Sequence, residues 1–277
     1  MSFSSKEDYE MTEITITPKI KFKYRVDMSF LSKMQNYKSI KAFLTTKISY
    51  GNKLIGISSL FKITGSNMSK VVIKSAVTSM DNIGKGLMDI NMIVHGNAGF
   101  SFGSNMISGK LILHGNCLDY AASGIKGGKI FIYGNTGNYF AGKPNSSNEG
   151  ILDGFIYIKG NVGHNSIQRM RRGNVIISGN VGDYACGEMI SGSVVVMGSI
   201  GSFFAEGIKR GTIITKEKKL TKNYRIANNA EYNFINFFIN SVNEQLDKNI
   251  FKNKTIVSRY HGHKNKENVS EIFLLKS

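Results

Sequence analysis

The sequence predicts an all-β chain: a right-handed β-helix or similar β-solenoid of 19-residue coils, with an N-terminal cap segment and a C-terminal amphipathic helix. Two glycine series and one shared interruption carry that prediction. Gly-Asn pairs begin at Gly96, Gly115, Gly134, Gly160 and Gly179, and Gly198-Ser199 closes the series, in steps of 19, 19, 26, 19 and 19 residues. A second series, Gly109, Gly128, Gly154, Gly173, Gly192 and Gly211, runs in steps of 19, 26, 19, 19 and 19. Both absorb the same seven extra residues between Gly134 and Gly154. A repeat of this length is the signature of a stacked, quasi-one-dimensional structure.

Within each unit a short apolar run precedes the Gly-Asn glycine, from Met92-Ile93-Val94 through Leu111-Ile112-Leu113 to Val194-Val195-Val196. These runs are β-forming, too short for helices and bounded by turn residues. Positions two and four before the glycine are apolar in every unit. The position just before it varies: His95, His114, Tyr133, Lys159, Ser178, Met197. That alternation gives a strand with an inward and an outward face. Asn after Gly is read as tolerance of left-handed backbone at a tight corner. Interior columns follow by adding the period. One is Ala98, Cys117, Thr136, Val162, Val181, Ile200, and another is Gly103, Ala122, Ala141, Ile167, Cys186, Ala205.

The flanks do not repeat cleanly, so the expected organisation is a cap over 1–70, the solenoid over 71–215 and a helix with tail over 216–277. Val71-Val72-Ile73 and Ile83 to Leu87 read as a degraded first coil, and Ser39 to Leu44 as a short helix. An open terminal coil exposes unpaired strand edges, which is why a cap is expected. Phe234, Ile235, Phe238, Ile239, Val242 and Leu246 follow helical spacing. This helix is expected to cover the far end of the solenoid or to meet a partner.

Composition sets further bounds. The 277 residues carry a formal charge of +17. The repeats at 92–212 hold ten Lys/Arg against six Asp/Glu, so most of the excess lies in the flanks. Without a clustered stripe or a known module, no nucleic-acid partner is expected. No run of ~18 apolar residues exists, so no membrane span is expected. The polar, acid-bearing stretch from Met1 to Glu13 argues against a signal peptide. The two cysteines, Cys117 and Cys186, fall in core columns and read as small apolar residues in a reducing, cytoplasmic setting.

The search for chemistry finds no GxSxG, P-loop, CxxC or dinucleotide fingerprint. His95 and His114 occupy equivalent positions on adjacent coils, and His261-Gly262-His263 forms an HxH pair. Two histidines without a third ligand are a weak basis for a metal site. No catalytic residue and no metal ligand is assigned. The remaining candidates are surface features. Arg169, Arg171 and Arg172 form the densest charge of the repeats. The insertion, Lys143 to Glu149, brings Lys143 and Asn145. Inserted loops on solenoids are frequent contact points, so these five residues are read as a docking patch.

The repeat Gly-Asn-x-Gly followed by Gly-x-x-Met/Ile-x-x-Gly resembles the GXGXG β-helix family. That family includes the C-terminal domain of the glutamate synthase large subunit and the β-helical subunit of formylmethanofuran dehydrogenase. Gly51-Asn52-Lys53, Ser59 to Ile63, Asp81 to Leu87 and Gln168 to Gly173 look like segments of that dehydrogenase subunit, over roughly residues 45–215. Arg259-Tyr260-His261-Gly262 is similar to its bacterial counterpart in the formyltransferase/hydrolase complex, although Asp is expected where His263 stands. Leu118 and Ser199 depart from the expected Gly and Asn.

The resemblance implies a non-catalytic structural subunit of a C1-transfer complex acting on formylmethanofuran. The implied partners are amidohydrolase-like, molybdopterin-like and formyltransferase subunits. Methanofuran and a molybdenum or tungsten pterin, or a zinc-type centre, would belong to those partners, and no cofactor to this chain. Two alternatives stand beside it: a glutamate-synthase-like coupling domain and a stand-alone anion-binding solenoid.

Overall fold

The structure is a computed structural model that describes residues 12–144, 147–231, 233–247, 256–263 and 270–275. The chain is largely β. One mostly parallel sheet of 13 strands dominates the described residues. In chain order they are β1 (Glu13–Pro18), β2 (Phe61–Thr64), β3 (Asn67–Ala76), β4 (Asn91–Gly96), β5 (Lys110–His114), β6 (Lys129–Ile132) and β7 (Phe155–Ile158). Then follow β8 (Asn174–Ile177), β9 (Ser193–Val196), β10 (Thr212–Thr215), β11 (Tyr224–Glu231), β12 (Ile256–His263) and β13 (Glu271–Leu275). From β3 to β10 each strand pairs in parallel with the next, as a β-solenoid requires. Met92 sits beside Leu111, Ile130 beside Ile156, and Ile156 beside Val175. The seven-residue insertion is therefore looped out without disturbing register.

Alternation decides which side chains fill the interior. Met92 and Val94, Leu111 and Leu113, and Ile156 and Ile158 point inward and are fully buried. Single parallel bridges link Ala98, Cys117, Thr136, Val162, Val181 and Ile200 in one column. Both cysteines are free and buried, and burial pushes both thiols well above their ordinary range, so neither is a thiolate.

The two glycine series have different physical causes. In the Gly-Asn series only Gly96 has positive φ, and none of the paired asparagines does. The expected left-handed corner is therefore not the reason for this pair. Close approach is. A Cβ on Gly115 would lie 2.0 Å from Gly96 O, and one on Gly160 would lie 2.4 Å from Gly134 O. Asparagine supplies an inter-coil ladder instead. Asn116 N–H donates to Asn97 Oδ1 at 2.9 Å, Asn135 N–H to Asn116 Oδ1 at 2.7 Å and Asn161 N–H to Asn135 Oδ1 at 2.7 Å. Asn180 and Ser199 continue the ladder at 2.8 and 2.9 Å. The second series does use positive φ throughout, with Gly154 at +118°.

A third device leaves little mark on the sequence. Alternate residues on one side of each coil adopt left-handed backbone: Tyr120, Ala122 and Gly124, then Asn165, Ile167 and Arg169, then Tyr184, Cys186 and Glu188. Non-glycine residues there cost roughly 1 kcal/mol each. The surrounding coils hold the geometry in place. Ala122 N–H donates to Phe102 O on the preceding coil at 2.7 Å, and Tyr120 N–H to Asn138 O on the following one at 3.0 Å.

Both ends of the stack are closed by the same means. At one end β1 adds in parallel to β3, and β2 adds antiparallel to β1. At the other, β13 adds in parallel to β10, and β12 and β11 follow antiparallel. The edge strand at the first end, β2, is only four residues long and carries the exposed Lys62, and the one at the other end, β11, is irregular in register, both of which blunt an exposed edge. The N-terminal segment also buries Met28, Leu31, Met34, Phe43 and Ile57 against the first coil. Arg25 pins it there, donating from Nε to Asp81 Oδ2 at 2.6 Å and lying 4.7 Å from the Phe100 ring centroid.

The helix Asn233–Leu246 does not cover an end. Its Ile235, Phe238, Ile239 and Val242 pack on the outward apolar column Phe131, Tyr157, Ile176, Val195 and Ile214. Fourteen residues make about 21 Å of helix, close to the ~19 Å spanned by the four steps from β6 to β10. Ile93 and Ile112, on earlier strands, are only partly buried. No helix among the described residues is long and apolar enough to cross a membrane.

Candidate docking surface

The coil that follows the insertion positions the arginines, and its backbone splits them. Arg169 ends the left-handed stretch at φ +57°. Arg171 and Arg172 come just before Gly173, where the coil turns into β8. The three therefore face two different grooves.

The larger groove, of about 710 Å³, is lined by Arg171, Arg172, Lys209, Arg210, Ile190 and Glu149 among others. The period explains this grouping, because Lys209 and Arg210 lie two coils beyond Arg171 and Arg172. Ile190 and Ser191 occupy the rung between. Glu149, at the end of the insertion, turns back and meets Arg171 Nη2 at 2.7 Å. Among the described residues, Arg172, Lys209 and Arg210 have no ion-pair partner within 4 Å.

The smaller groove, of about 360 Å³, takes Lys143 and Arg169, with Tyr184, Phe203, Glu188 and Glu206. Arg169 Nε lies 3.2 Å from Glu188 Oε2. Tyr184 and Phe203 stack with centroids 4.8 Å apart, and Phe203 is 59% exposed. Asn145 lies outside the described residues. The structure thus separates Lys143 and Arg169 from Arg171 and Arg172. It also adds Tyr184, one coil forward, and Phe203, Lys209 and Arg210, two coils forward, which the sequence signals only when the period is carried along the stack.

The three histidines of the repeats, His95, His114 and His164, serve stacking and laddering. The rings of His95 and His114 stack at 5.0 Å and 7°, and His114 stacks on Tyr133 at 5.0 Å. Nitrogen lone pairs lie in the ring plane, and near-parallel planes give them no common point for a metal. His164 Nδ1 accepts from Asp183 N–H at 3.0 Å and so takes the place of an asparagine oxygen in the ladder. Among the described residues no group of three His, Cys, Asp or Glu could hold a metal ion.

Burial, and then the positive charge of His95, holds His114 below the ordinary histidine pKa near 6.5. A depressed histidine binds fewer protons folded than unfolded below that value. Stability is therefore full above pH ~6.5 and falls as pH drops through the folded pKa. His114→Tyr, which extends the aromatic stack, is expected to flatten the dependence of the melting temperature on pH between about 7.5 and 5. An unchanged pH profile would remove His114 as its source.

Comparison with known proteins agrees with the fold. The GXGXG motif family matches residues 35–273. Among solved structures, a chain of the formyltransferase/hydrolase complex FhcABCD from Methylorubrum extorquens, determined with methylofuran, superposes with a TM-score of 0.80. It is 24% identical, and the match covers 95% of this chain and 100% of that one. A comparison with curated proteins finds no match. The family match spans the second half of the cap, the stacked coils and the closing strands alike, and on that ground the chain belongs to the GXGXG motif family.

Proposed function

We propose that this chain is a structural, non-catalytic subunit of a multi-subunit C1-transfer complex acting on a formylmethanofuran-type substrate, corresponding to the β-helical subunit of such complexes. The observation that carries the reading is the end-to-end likeness to a chain of the formyltransferase/hydrolase complex. The use of side chains supports it. The asparagine oxygens, His164 and Asp183 accept backbone N–H groups from neighbouring coils. These polar groups are committed to stacking, and the two grooves are left as contact surface. The partners in this reading are amidohydrolase-like and molybdopterin-like subunits and a formyltransferase, which hold the methanofuran and any metal centre. The likeness favours the hydrolase over the dehydrogenase form of the complex, and a cytoplasmic location goes with either.

The test is affinity purification of the tagged full chain from its source cells, with formylmethanofuran turnover measured on the recovered material and on the chain alone. Co-purification of partner subunits in fixed ratio, with turnover only in the assembly, is expected. Turnover by the isolated chain would overturn the non-catalytic role.

A further inference from the structure

The larger groove has a chemistry that the scaffold reading leaves unspecified. Its cations form two rungs, Arg171 with Arg172 and Lys209 with Arg210, two coils apart. At about 4.8 Å per rung the two pairs are separated by roughly 9.6 Å. The rung between them is Ile190 and Ser191, both half-buried, so an apolar contact sits midway between two positive ones. Against four cations the groove supplies one carboxylate, Glu149, already bound to Arg171.

We propose that this groove docks an acidic amphipathic helix of a partner subunit, with carboxylates two turns apart and an apolar side chain between them. Seven helical residues rise about 10.5 Å, which matches the separation of the cationic rungs, and the residue three or four positions along faces Ile190. Aspartate or glutamate at each end meets a rung with two cations. Glu149 occupies Arg171 in the free chain as an internal stand-in for one of those carboxylates, and the incoming helix displaces it. A flexible polyanion would gain from the same charges but not from the spacing or from Ile190. The spacing is what makes the helix the better occupant.

This inference rests on the scaffold reading, and its test separates the two. The probe is a fluorescent, helix-stapled peptide with glutamates seven residues apart and a leucine midway, titrated by anisotropy against the full chain. A second peptide has the same composition with the glutamates moved off that face. Inorganic polyphosphate serves as competitor. The matched peptide is expected to bind at least about tenfold tighter than the permuted one. Arg172→Glu/Arg210→Glu is expected to lose at least about tenfold, and the neutral pair Arg172→Gln/Arg210→Gln a smaller part. Glu149→Gln is expected to gain roughly two- to threefold. Equal affinity for both peptides overturns the helix geometry, and polyphosphate binding tighter than the matched peptide assigns the groove to small polyanions. Co-purification of the same partners at the same yield by wild type and by Arg172→Glu/Arg210→Glu overturns the groove's role and leaves the scaffold standing. If wild type recovers no partner, the scaffold reading itself falls.

Discussion

Gly160→Ala is expected to be among the most destabilising single substitutions in the solenoid. Its φ is not in the left-handed region, so the added methyl meets no intrinsic backbone penalty. It meets the preceding coil instead: the new Cβ would lie 2.4 Å from Gly134 O and 2.4 Å from Asn135 Oδ1. The carbonyl belongs to a backbone fixed by its own inter-coil bonds, Gly160 N–H to Gly134 O among them at 3.1 Å. Relief requires the coils to separate, which weakens the ladder on both sides. Overpacking of this kind costs about 3 kcal/mol, or roughly 6–12 °C of melting temperature for a chain of this size. Gly86→Ala is the matched comparison. Gly86 has φ +66° and nothing within 4 Å of a new Cβ, so it carries only the left-handed cost of about 1 kcal/mol. Thermal melts of the two variants rank close approach against conformational strain. Equal losses would show that crowding is not what glycine relieves at position 160.

The second large effect belongs to the face of the sheet. Ile239 is 1% exposed and sits between the helix and the outward column of strand residues. Ile239→Asp removes about 2–5 kcal/mol of packing and places a carboxylate where it has no partner. The solenoid's own core, on the other side of the strands, keeps its contacts. The helix is therefore expected to detach while the β signal persists, since regions of a fold open with separate free energies. Limited proteolysis within residues 216–247 and increased binding of a hydrophobic dye measure this, because Tyr157, Ile176 and Val195 become exposed. A variant that resists protease and binds no more dye than wild type would mean that the helix is not held by this face.

The repeats are legible in the sequence because backbone constraints fall on residue types that announce them. Glycine at a close approach has no substitute, and the column from Ala98 to Ile200 follows from the period alone. The role of asparagine is not legible in the same way, since a Gly-Asn pair looks identical whether Asn tolerates a left-handed turn or accepts a neighbour's N–H. The left-handed positions at Tyr120, Ala122, Ile167 and Cys186 leave no trace, because those residues rarely adopt that backbone and neighbouring coils impose it. The site of the helix does have a signal. Ile93, Ile112, Phe131, Tyr157, Ile176 and Val195 are apolar at an outward position, and such a column calls for a cover. The arginine cluster is a single run in sequence but is divided by geometry. Alternating left-handed residues turn Arg169 toward Lys143, while Arg171 and Arg172 join Lys209 and Arg210 through the period.

Whether this chain organises an assembly rather than performing its chemistry is decided most directly by co-expressing the full set of subunits with and without it, followed by native mass spectrometry. The full complex is expected to form only when the chain is present, and the groove variant Arg172→Glu/Arg210→Glu is expected to weaken it. A complete complex of the remaining subunits, formed at equal yield without this chain, would contradict the organising role.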